Sequence, residues 1–171
     1  MESFLSIGIA ILISLCNTNE EGIVITHNDS LTGSVRVDLE RNEITLQKGR
    51  EYKHLYARDI KKVILKTMDK AYVSAPFGLN EEYFLFELLS EGKVMLLFRE
   101  AMKLSRYDET TYPPFFVKIG PSVYSFGGDK RQLYEIVGEK KSDVKSFIKD
   151  NNIDLEVRED LIKLFNYYNH L

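Results

Sequence analysis

The strongest constraint on this chain is a change of hydrophobic period near residue 128. Before it, apolar residues recur at every second position in short runs broken by turn residues; after it they recur every three to four. A two-residue period turns one face of a strand inward, and the longer period draws a stripe along a helix. Strands followed by helices specify an α+β fold: an antiparallel β-meander, as a curved sheet or partial barrel, followed by two to three C-terminal α-helices packed on it.

Ile23 and Ile25 lead into the polar turn His27-Asn28-Asp29-Ser30. Val35, Val37 and Leu39 then alternate with Ser34, Arg36 and Asp38, and Ile44 and Leu46 with Glu43, Thr45 and Gln47. These strands have one wet face. Strands are also expected over residues 52–56 and 63–65, with Ala57-Arg58-Asp59 as a bend, and over 71–75 before the breaker Pro76-Phe77-Gly78. Residues 83–89 and 94–98 are apolar on both faces and should form the central pair. Leu85, Leu88 and Leu89 also fit helical spacing, so a partly helical 83–103 competes; Gly92 and the β-branched and aromatic content favour a hairpin. Residues 115–119 and 123–126 make the last hairpin.

In the helical part, Asp129 is an N-cap, Leu133, Ile136 and Val137 share a face, and Gly138 suits the position after a helix end. Ser142 is expected to cap a second helix with Val144, Phe147 and Ile148 inward, ending at Asn151-Asn152. Asp154 is expected to cap a third, whose stripe is Val157, Leu161, Leu164, Phe165 and Tyr168.

The 171 residues divide into an apolar leader (1–16), a polar spacer (17–21) and one globular domain (22–171). The run from Phe4 to Cys16 is shorter than the roughly 20 residues a bilayer span needs, and has the length of a signal-peptide core. Ser14 and Cys16 are small residues suited to a cut before Asn17, although no Lys or Arg precedes the run. Two readings stand beside cleavage: acylation of Cys16 as a lipoprotein, for which Leu15 is unsuited, and a leader retained as an anchor. Cys16 is the one cysteine, so the domain behind it has neither disulfides nor thiolate chemistry. The net charge of −3 provides no field for nucleic acid.

No motif specifies catalysis, a metal or a cofactor. His27, His54 and His170 lack ligand spacing, and no strained elbow marks a nucleophilic serine. The acid pairs Glu81-Glu82, Asp108-Glu109 and Glu159-Asp160 adjoin turns or helix starts, where solvated carboxylates are ordinary. Gly127-Gly128-Asp129-Lys130 lacks the end of a phosphate loop and reads as a turn plus cap. The segment from Tyr107 to Phe116 concentrates aromatics around Pro113-Pro114. Exposed, its Tyr107, Tyr112 and Phe115 are a contact loop for a glycan, peptide or protein; folded back, the reading favoured here, Tyr112 and Phe115 cap the core. Asn28-Asp29-Ser30 is an N-glycosylation sequon and also ordinary turn chemistry.

The stretch Gly22-Ile-Val-Ile-Thr-His-Asn-Asp29-Ser30-Leu-Thr-Gly33-Ser-Val35 resembles the start of the mature domain in uncharacterised exported proteins of the Bacteroidota. The segments Glu91–Phe98, Phe116–Tyr124, Ile148–Asn151 and Leu164–Asn169 resemble the same group. The resemblance implies an envelope location, a β-rich domain closed by helices, and no assigned activity. It also implies O-glycosylation at the Asp29-Ser30-Leu31 triplet, with Ser30 as acceptor.

The resulting expectation is a non-enzymatic, exported protein of the cell envelope, periplasmic or associated with the outer membrane, with a binding or structural role. Its partner is an unknown envelope protein or glycan, with no cofactor, and its only membrane contact is the leader or a lipid anchor. The alternative is an envelope hydrolase with an unrecognised serine or carboxylate site.

Overall fold

The computed structural model describes residues 19–104, 110 and 112–171. The leader with Cys16, and Tyr107 of the aromatic segment, lie outside the described residues. Ten antiparallel strands form one sheet: β1 (Glu20–Thr26), β2 (Ser30–Asp38), β3 (Glu43–Lys48), β4 (Glu51–Tyr56), β5 (Ile60–Leu65), β6 (Lys70–Phe77), β7 (Glu82–Ser90), β8 (Val94–Phe98), β9 (Phe115–Ile119) and β10 (Ser122–Phe126). Helices α1 (Lys130–Val137), α2 (Lys141–Asp150) and α3 (Arg158–Asn169) follow, which is the expected α+β order. Residues 83–103 contain the hairpin β7–β8, not a helix.

The strand order is β10-β9-β8-β7-β6-β5-β1-β2-β3-β4, so two meanders join where β5 returns to the free edge of β1. That return forces curvature. In a flat sheet, β4 and β5 would stand four strand spacings apart, about 19 Å. The four residue steps from Tyr56 to Ile60 reach at most about 14 Å, so β5-β1-β2-β3-β4 must curl into a partial barrel. Gly22 and Gly33 sit opposite each other on β1 and β2. A Cβ on Gly22 would lie 2.8 Å from the Ile64 carbonyl oxygen, and one on Gly33 2.4 Å from that of Gln47. Neither position tolerates a side chain at this closeness.

The barrel interior is filled by Val24, Val35, Ile44, Leu46, Leu55, Ile60 and Val63, all buried. In β1 the core residue is therefore Val24, while Ile23 and Ile25 are only half-buried. Along β7, Phe84 and Phe86 face one side and Leu85 and Glu87 the other, and all four are buried. A strand covered on both faces has few wet positions, which explains the nearly continuous apolar runs of β7 and β8; the exception, Glu87, is paired with Arg158 at 2.7 Å. One face carries the helices, packed through Leu133, Val144, Leu161, Leu164 and Phe165 onto Leu96, Val117 and Phe126. On the other face the sheet curls until β10 lies beside β6. This closes an aromatic core in which Phe116 meets Phe77 at 5.3 Å and Phe86 at 5.1 Å between ring centroids. The fully buried rings, Phe86 and Phe116, each contribute about 1.5–3 kcal/mol.

Local details depart from expectation in three places. Pro76 and Phe77 extend β6 instead of breaking it, paired with Tyr83 and Glu82. The β5 pairing stops at Val73, so the missing N–H of Pro76 costs no ladder bond. Asp129 does cap α1, accepting from the Arg131 and Gln132 amides at 2.6 and 3.0 Å. Ser142 caps nothing, because a 3₁₀ turn over Gly138–Lys140 joins α1 to α2 without a break. Asp154 likewise caps a turn rather than a helix: its Oδ1 accepts from the Glu156 amide, and α3 begins after an exposed Val157.

Candidate functional site

Three chain reversals meet at one end of the barrel and enclose an open cleft of about 550 Å³. The β2–β3 turn contributes Arg41 and Asn42; the end of β4 and the following 3₁₀ turn (Ala57–Asp59) contribute Tyr56 and Arg58; the β6–β7 turn contributes Asn80 and Glu81, and the start of β7 Glu82 and Tyr83. Asn42 and Glu81 both take left-handed backbone conformations, with φ of 53° and 52°. These are tight reversals that bring side chains from distant strands to one rim.

Beneath the cleft, Asn42 is held by three hydrogen bonds. Its carbonyl accepts from the Ala57 amide at 2.8 Å, which pins the 3₁₀ turn to the β2–β3 turn. Its side-chain oxygen accepts from the Leu85 amide at 3.3 Å and from Arg99 Nη1 at 2.7 Å. The same Nη1 donates to the Leu85 carbonyl at 2.7 Å, and Nη2 donates to the Leu39 carbonyl. Arg99 is 6% exposed and stacks 5.3 Å from the Phe84 ring centroid. Burial pushes its pKa down to about 10, yet at neutral pH it stays charged. A buried guanidinium that meets three oxygen acceptors ties β2–β3, β7 and β8 into a rigid floor.

The walls are different in kind. Tyr56 and Tyr83 are 52% and 43% exposed, so two aromatic rings stand in solvent at the cleft. The Arg58 guanidinium lies 5.8 Å from the Tyr56 centroid. Arg41 reaches Asp38 and Glu43 only at 3.9 Å with its side chain largely in solvent, which leaves its charge free to meet a ligand. The cleft thus combines exposed ring faces with planar polar groups above a hydrogen-bonded floor.

The residues singled out from sequence are not gathered there. Tyr112 is half-buried, edge-on to Phe77 at 5.5 Å, and Phe115 is buried against Phe98 at 5.5 Å, so both fold back onto the core. Ser30 is exposed at the start of β2, just after the turn in which Thr26 Oγ1 accepts from the Asp29 amide at 2.9 Å. His27 donates to the Arg58 carbonyl, His170 donates to that of Asn166, and His54 shares a hydrogen bond with Thr45 Oγ1. Of the two acid pairs among the described residues, Glu81-Glu82 lines the cleft and Glu159-Asp160 does not, while Asp108-Glu109 lies outside the described residues. Among the described residues no cluster of acids, histidines or cysteines suits a metal ion, and no helix is long and apolar enough to cross a membrane. The site residues that sequence reasoning passed over are Tyr56, Tyr83, Asn42 and Arg99. One signal was present: Tyr52, His54 and Tyr56 alternate with Leu55, which points the three rings away from the core.

The class defined by this architecture is an α+β domain in which one coiled antiparallel sheet carries an open cleft at its barrel end. No protein-family model, curated protein or solved structure matches the chain.

Proposed function

We propose that this chain is a non-enzymatic binding protein of the cell envelope and that the barrel-end cleft takes a glycan. One observation carries the reading: Tyr56 and Tyr83 expose their rings at a cleft otherwise lined by Arg, Asn and Glu side chains. A sugar presents a C–H face to an aromatic ring and a rim of hydroxyls to planar hydrogen-bonding groups, and the cleft offers both. The buried Arg99–Asn42 anchor supports it, because a preformed floor lowers the entropy lost on binding. Export rests on the leader, with a mature N-terminus expected at Asn17; N-terminal sequencing of protein from the native host tests it, and a chain beginning at Met1 would support the retained anchor instead.

The binding reading is tested by retention of the purified chain on insoluble peptidoglycan, chitin and cellulose, compared with Tyr83→Ala. Retention lost in the variant is expected; equal retention of both proteins would sink it. The hydrolase alternative draws on Glu81 and Glu82, the two carboxylates at the cleft. Release of reducing sugar during the same incubation, abolished by Glu81→Gln or Glu82→Gln, would replace binding by catalysis.

A further inference from the structure

The outer face of β4 continues the cleft. Leu55 is buried in the barrel, so Tyr52, His54 and Tyr56 stand on the opposite, solvent face at two-residue intervals. Successive rings are about 6.7 Å apart along the strand, and the row from Tyr52 to Tyr56 is about 13 Å long. Tyr52 is 62% exposed and Tyr56 52%. Each ring has a polar residue directly across the ladder on β3: Gln47 opposite Tyr52, Thr45 opposite His54, Glu43 opposite Tyr56. The His54 imidazole is held by its Nδ1 contact to Thr45 Oγ1 at 3.3 Å. The motif of a ring beside a hydrogen-bonding group therefore occurs three times in a row, and its last member, Tyr56, also lines the cleft.

We infer that the ligand is an extended, unbranched oligosaccharide that runs from the cleft along the outer face of β4. This rests on the glycan reading of the cleft and specifies the ligand's form. A repeating row of rings and polar partners matches a chain of repeating sugar rings better than a single terminal sugar, which the cleft alone would satisfy. A protein partner would instead find few apolar groups to bury on this face, since the residues beside the rings are Gln, Thr and Glu.

Isothermal titration of the purified chain with chito- and cello-oligosaccharides, from disaccharide to hexasaccharide, tests the inference. In the series that binds, affinity should rise with chain length. Tyr52→Ala should weaken the hexasaccharide roughly 3- to 10-fold, the range expected for losing one stacked ring, and leave the disaccharide unchanged. Tyr83→Ala should weaken every length alike. Binding that is independent of length, with Tyr83→Ala still harmful, would overturn the extended site but keep the cleft. Equal weakening of short and long chains by Tyr52→Ala would make Tyr52 structural and overturn it too. Dimerisation disrupted by Tyr52→Ala and not competed by oligosaccharide would reassign the face to self-association. Absence of binding in both series would overturn the cleft reading together with its extension.

Discussion

Asn169, in the last turn of α3, pairs with Val94 as a neighbouring strand would: its Oδ1 accepts from the Val94 amide at 3.1 Å and its Nδ2 donates to the Val94 carbonyl at 2.8 Å. Nδ2 also reaches Ser90 Oγ at 3.3 Å, and Ser90 in turn donates to Asn166 at 2.7 Å. The helix end thereby clamps the β7–β8 turn. A Cβ on Gly92 would sit 2.3 Å from Asn169 Cγ, so the turn needs glycine for the clamp to close.

Asn169→Ala and Gly92→Ala should each destabilise the fold by about 1–3 kcal/mol in urea unfolding, the first through unsatisfied backbone groups and the second by expelling the amide. Because both act on one contact, the double variant should cost clearly less than the sum. Strict additivity would show that the clamp does not link the two positions.

Arg99→Met keeps much of the side-chain volume but strips donors from the Leu39 and Leu85 carbonyls and from Asn42 Oδ1. A loss of about 2–4 kcal/mol is expected, because unpaired buried acceptors cost more than the guanidinium's own desolvation returns. Denaturant midpoints measure it. A variant as stable as the parent would show that the guanidinium adds nothing net to stability.

Two kinds of titrating group should shape stability at opposite ends of the pH range. Asp129 is held below the usual carboxylate range by hydrogen bonds from the Gln132 and Arg131 amides, and Asp160 by the Asp154 amide and Lys163. Folded values depressed in this way stabilise above the unfolded pKa, and the contribution disappears as pH falls through the folded value. Tyr72 is raised by burial first, then by Glu87 and Glu20. Its contribution is complete below the ordinary tyrosine value near 10 and is lost as pH rises through the raised one. Melting curves of the parent should fall at both ends. Asp129→Asn, which retains a capping oxygen, should flatten the acid limb; an unchanged limb would count against the cap.

Tyr56→Ala and Tyr83→Ala should cost no more than about 1 kcal/mol of stability, since each residue is about half in solvent, while removing retention on the glycan. Loss of stability together with binding would identify the rings as packing elements instead.

Much of the architecture was legible because period is local. Val35, Leu46 and Leu55 each announce an inward face through their own neighbours, and Asp129 announces a helix start by preceding a stripe. Caps were less legible. Ser142 and Asp154 have the right chemistry, but the Gly138–Lys140 turn carries one helix into the next, and the Asp154 turn delays α3 by a few residues. The site was least legible. Its tyrosines sit at the end of an edge strand and the start of β7, and only the curl of the sheet brings residues 41, 56 and 83 to one rim. Tyr112 and Phe115 of the aromatic segment pack inward because Phe77 and Phe98 offer apolar surface that water cannot match.

By itself, the sequence determined which segments are strands and helices, and their order, since alternation and capping depend on residues a few positions apart. Only the tertiary structure decided that β5 returns to β1, that Arg99 lies under the cleft, and that Asn169 closes a turn more than 70 residues earlier. Those outcomes depend on the coiling of the sheet, which sums small twists over ten strands and leaves no signature in any short stretch of residues.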